Sequence, residues 1–211
     1  MRKQAGFTLI EIAIVLVVIG LLLGTILRGQ ELVTNSRIRS AINEQKNIAS
    51  AYYLYIDRYR QIPGDDPGAA ARYSLTNPST APDGDRVLLG AWNNDDGTQE
   101  TSALWQHLRA DGLIPGARDT AEAFLPPRNP FDGDFGIQRN ALGINGVAIC
   151  MSNVPFQAAT IIDTRLDDET GALTGSATGS VRAVLDTATA NMAAGVTAYA
   201  ADNRYIVCIE L

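Results

Sequence analysis

Catalytic equipment is scarce in this chain. One histidine, His107, and two cysteines, Cys150 and Cys208, serve 211 residues. His107 stands between Gln106 and Leu108 with no serine or cysteine nucleophile motif beside it, the setting of a partly exposed structural histidine and not of a general base. No glycine-rich phosphate loop, zinc-ligand spacing or nucleophile elbow occurs. Positive charge is short too: 17 Lys and Arg face 23 Asp and Glu, a net charge of −6. A surface of that sign does not offset phosphate, so nucleic acid is excluded as the expected partner. Proline is missing between Phe7 and Ile62, so nothing there forces a helix to break.

What the sequence does have is an apolar run over residues 7–27, preceded by Met1-Arg2-Lys3-Gln4-Ala5-Gly6 and interrupted by one charge, Glu11. As a helix it measures roughly 31 Å, matching the ~30 Å hydrocarbon layer of a bilayer. Arg2 and Lys3 precede it and the next basic residue is Arg28, which predicts a cytoplasmic N-terminus and an exported remainder. A secretory signal peptide would end in a small-x-small cleavage site, whereas this run continues into Gly24-Thr25-Ile26-Leu27-Arg28. A plain membrane anchor leaves Glu11 unexplained, because a carboxylate near the centre of a span costs on the order of 3 kcal/mol.

Gly6-Phe7-Thr8-Leu9-Ile10-Glu11 after a short basic leader resembles the class III signal of type IV pilins and type II secretion pseudopilins. The resemblance implies that prepilin peptidase/methyltransferase cuts between Gly6 and Phe7 and methylates the new terminus at Phe7. It implies that Glu11 pairs with the terminal ammonium of a neighbouring subunit during assembly. The implied partners are homologous pilin or pseudopilin subunits, the inner-membrane assembly platform, and membrane lipid before assembly. The implied location is the inner membrane, single-pass with a periplasmic C-terminal domain, and then a pilus or pseudopilus. Major type IV pilins usually carry proline where Arg28 stands, so its absence favours a pseudopilin or minor pilin. The alternatives are a major type IV pilin for adhesion, motility or DNA uptake, and a periplasmic binding domain that stays anchored and does not polymerise. Loss of Arg2 and Lys3 with the leader would take the net charge to about −8.

Past the span, Ile38, Ile42, Gln45, Ala49, Tyr52, Ile56 and Tyr59 recur at spacings of three and four and mark one helix face. One helix is expected from Phe7 to about Tyr59, roughly 80 Å long, stopping at Ile62-Pro63-Gly64. Tyr52, Tyr53, Tyr55 and Tyr59 are read as packing residues. Residues 63–99 read as loop, followed by a helix over residues 101–110 that buries Leu104, Trp105 and Leu108. Strands are expected over residues 135–138, 146–151 and 205–209, with a helix opened by Pro155 between the last two. Residues 167–180 read as loop, and residues 181–202 are ambiguous.

The fold class is α+β, with a long N-terminal helix whose first half is transmembrane and a small C-terminal antiparallel sheet with loops, which is the pilin-type order. The expected divisions are 1–6 leader, 7–27 assembly helix, 28–61 amphipathic continuation and 62–211 exported domain. Further phrases extend the likeness, among them DRYRQIPGDDP, LWQHLRADGLIPG and IIDTRLDDETGALTG. No histidine lies near Cys150 or Cys208, so an oxidising compartment favours a disulfide over metal, and pilins often staple their C-terminal segment in this way. The acidic pairs Asp65/Asp66, Asp95/Asp96, Asp132/Asp134 and Asp167/Asp168 read as solvated turn residues. Asp132-Gly133-Asp134 fails as an EF-hand, because Gly143 stands where the bidentate glutamate belongs. No cofactor is expected, and calcium has its weak candidates in Asp163, Asp167, Asp168 and Glu169.

Overall fold

In a computed structural model the described residues are 8–167, 177, 179–187, 192, 195 and 198–211, with the side chain of Leu27 left aside. The chain divides into two units, residues 1–37 and residues 38–211. Helix α1 (Leu9–Tyr59) runs through the boundary as 51 continuous residues. In the first unit its apolar side chains are exposed all round, from Leu9 to Val33. By length and composition it is the one helix among the described residues that could cross a membrane.

In the second unit α1 buries a stripe of Ile38, Ala41, Ile42, Gln45, Ile48, Ala51, Tyr52 and Tyr55. The sequence pattern placed Ala49, Ile56 and Tyr59 on the same face, and they lie at its edge, half-buried. Tyr53 is exposed. The helix ends at Tyr59 as expected, ahead of Pro63-Gly64, and there Arg60 adopts the left-handed conformation at φ +57° and donates its N–H to the Ile56 carbonyl. A non-glycine residue at that position carries no sequence signature.

The segment read as loop contains a short helix, α2 (Ala69–Tyr73), and buries residues 63–66, Ala69, Leu88, Trp92 and Gly97. Helix α3 (Glu100–Ala110) buries Leu104, Trp105 and Leu108 as expected. A 3₁₀ turn at Ala121–Phe124 follows.

The sheet comprises β1 (Phe135–Arg139), β2 (Val147–Pro155), β3 (Val181–Leu185) and β4 (Arg204–Glu210). Its order is β1-β2-β4-β3, antiparallel throughout. Helix α4 (Phe156–Leu166) leaves β2 directly, with Pro155 as its extended N-cap. Side chains alternate across the sheet. Phe135, Ile137, Ile149, Met151, Ala183, Val207 and Ile209 join the α1, α3 and α4 core. On the other face Ala148, Cys150, Val184, Ile206 and Cys208 lie under Trp92, Ala141, Leu142 and Ile144. Both faces are covered, so β2 and β4 read as nearly unbroken apolar runs. Cys150 and Cys208 are direct cross-strand partners and form a disulfide.

Gly136 shows why one covering segment lies flat. A side chain there would strike the Trp92 carbonyl and come within 2.6 Å of the indole Cε3. The chain around Trp92 rests on bare β1 backbone, held by the Trp92 N–H donating to Gln138 Oε1 at 3.1 Å.

Candidate functional site

At its N-terminus α1 is closed by a capping box. Thr8 donates both its backbone N–H and its hydroxyl to Glu11 Oε2, at 2.8 and 2.7 Å, and the Glu11 N–H returns to Thr8 Oγ1 at 3.4 Å. The Thr-x-x-Glu spacing is the sequence signature of this device, and it went unread beside the processing motif. One carboxylate oxygen of Glu11 is thereby engaged by its own helix, and the other has no partner among the described residues. Gly6 and Phe7, the two processing positions, lie outside the described residues.

The second concentration of polar groups sits where α1 ends. Asp66 is buried and accepts from Tyr55 OH at 2.8 Å, Arg72 Nη1 at 2.6 Å and the Gly68 N–H at 2.9 Å. Burial alone would raise its carboxyl, but the bonds from Arg72, Tyr55 and Gly68 together hold it below the ordinary carboxylate range. The Arg72 guanidinium lies 4.0 Å over the Tyr59 ring. Arg58 binds both oxygens of Asp111 at 2.8 and 2.7 Å, and Tyr59 OH adds a bond of 2.7 Å. His107 is buried, not partly exposed, and its Nδ1 accepts the Gly64 N–H at 3.0 Å. Burial pushes it down to about 4, so it is neutral and structural.

Asp65 is likewise no solvated turn residue. Fully buried, it accepts the N–H groups of Gly84 and Arg86, each at 2.6 Å. Its carboxylate lies with those of Asp83 and Glu100, one oxygen from each within 4.8 Å of the others. Glu100 Oε2 accepts the Leu89 N–H at 2.6 Å. Burial raises Glu100 to about 7, opposed by the Leu89 bond and assisted by Asp65, Asp83 and Asp85. These carboxylates tie residues 83–89 down through backbone N–H groups.

Of the calcium candidates, Asp163 is buried beside Tyr199, whose hydroxyl is raised by burial first and then by Asp163. Asp167 accepts from Ser180 Oγ at 3.0 Å. The structure brings no third acidic ligand to these two among the described residues. Asp168 and Glu169 lie outside the described residues.

A long apolar N-terminal helix followed by a small four-stranded antiparallel sheet defines an α+β protein of pilin-like arrangement. A family model described as the prokaryotic N-terminal methylation motif matches residues 1–27. Those residues are a prepilin signal of the type IV pilin and pseudopilin kind. No curated protein and no solved structure matches the chain.

Proposed function

We propose that the chain is a structural subunit of a type IV pilus-like or type II secretion pseudopilus filament, and a pseudopilin or minor pilin in preference to a major pilin. The observation that carries this reading is the methylation motif over residues 1–27. In it, prepilin peptidase removes residues 1–6 and methylates Phe7, leaving a terminal ammonium at membrane depth. The open oxygen of Glu11 receives the ammonium of a neighbouring copy, since a carboxylate in lipid is tolerable only with a partner. Before assembly the apolar helix stands in the inner membrane, with the sheet domain on the periplasmic side. The chain performs no chemistry itself. Arg28, in place of proline, supports the pseudopilin or minor-pilin choice.

Mass spectrometry of membrane-extracted protein tests the reading: the expected terminus is methylated Phe7, and an intact Met1 points to a plain anchor instead. The reading needs no cofactor. A calcium loop at Asp163, Asp167, Asp168 and Glu169 is its alternative, and thermal melting decides. Melting unchanged between EDTA and added calcium is the expected result, and a calcium-dependent rise establishes the site.

A further inference from the structure

A cavity of about 750 Å³ opens on the sheet face that Trp92 covers. Its size lies within the ~300–1,000 Å³ range of small-ligand pockets. Its lining is mostly polar: Asn93, Asp134, Gln138, Asp186 and Thr187 stand around the mostly buried Trp92. Several of these groups are fixed while keeping hydrogen-bonding capacity. Gln138 Oε1 is held by the Trp92 N–H, which leaves its NH₂ free to donate. Asp186 Oδ2 accepts the Asn153 N–H at 2.6 Å, which leaves Oδ1. Asp134 is half-buried and bridged to Arg128 at 3.3 Å through one oxygen, and burial, with Asp95 nearby, holds its carboxyl above the ordinary range. The side chains of Asn93 and Thr187 have no hydrogen-bond partner among the described residues.

We infer that this cavity is a binding site for a neutral carbohydrate. The Gln138 amide and the Asp186 carboxylate, each anchored by a backbone N–H, offer donors and acceptors in the mixture that a run of hydroxyls requires. The apolar part of the lining, Ala91, the mostly buried Trp92 and Ile206, supplies the contact for sugar C–H groups. Two carboxylates in the lining disfavour anionic ligands such as phosphates, uronates or sialosides. The mixed polar lining does not suit an aliphatic ligand either. The site lies wholly on the sheet domain and is independent of the N-terminal signal.

The test uses the full chain in lauryldimethylamine oxide micelles, a detergent with no sugar headgroup, on an array of neutral and acidic oligosaccharides. Retention of a subset of neutral di- or trisaccharides is expected, with calorimetry on the best of them. The double variant Asn93→Ala/Thr187→Ala removes two hydrogen-bonding side chains that hold nothing in the fold. It should melt like the wild type and bind roughly tenfold more weakly. Three results overturn the assignment: no neutral glycan retained, acidic glycans bound equally well, or the double variant binding unchanged.

Discussion

Glu11 caps its own helix and, in the proposed filament, receives a neighbour's ammonium, and one substitution separates the two. Glutamine at this position keeps the capping-box geometry but has no charge, whereas alanine loses both. If the charge is what assembles subunits, Glu11→Gln and Glu11→Ala should block filament formation alike, with the sheet domain folded in each. Filaments from the glutamine variant would show that the cap alone suffices. Deeper in the chain, His107 and Glu100 make opposite demands on pH. The folded-state value of His107, about 4, lies below its unfolded value near 6.5. Its contribution is therefore full above pH 6.5 and lost as pH falls towards 4, on the order of 3 kcal/mol. Glu100, raised to about 7, contributes below its ordinary value near 4.5 and loses that contribution as pH rises through 7. Glu100→Gln should thus raise the melting temperature at pH 8 and leave it unchanged at pH 4.5. A gain at both pH values would place the effect in packing rather than charge. Neither burial was legible in the sequence. His107 and Glu100 accept backbone N–H groups of Gly64 and Leu89, 43 and 11 residues away in sequence, and composition says nothing about such bonds.

The elements that read clearly were those whose apolar pattern is set by burial. Strands β2 and β4 announced themselves because both sheet faces are covered, and α3 because its apolar residues share one side. Strand β3 was masked by the small-residue-rich stretch that follows it, although Val181-Arg182-Ala183-Val184-Leu185 has strand-forming residues of its own and pairs with β4 from Val181↔Ile209 to Leu185↔Tyr205. The disulfide belongs to this scale. It joins β2 to β4 across a sequence separation of 58, a loop for which the chain-entropy model gives roughly 4 kcal/mol. The double variant Cys150→Ala/Cys208→Ala should melt several degrees below the oxidised protein and match it in sheet content by circular dichroism when cold. Equal melting temperatures would mean the paired strands need no staple.

For the whole molecule, every buried core residue among those described falls within residues 38–211, and none of the apolar side chains described before Arg37 is covered. A chain lacking residues 1–36 should accordingly be soluble without detergent and melt cooperatively, as checked by calorimetry; aggregation of the truncated chain would show that the first unit contributes to the fold. The methylation motif was legible because it is a linear pattern, and the family model matches it over residues 1–27. The carbohydrate cavity was not legible, because its lining is gathered from β1, the Trp92 segment and residues 186–187 after β3. The side chains at the end of α1 carry a mechanical consequence. Arg58 and Tyr59 grip Asp111 with three bonds, so a load on the last turn of α1 passes to the residue that follows α3 through side chains and not only through the fifty-odd residues of backbone between them.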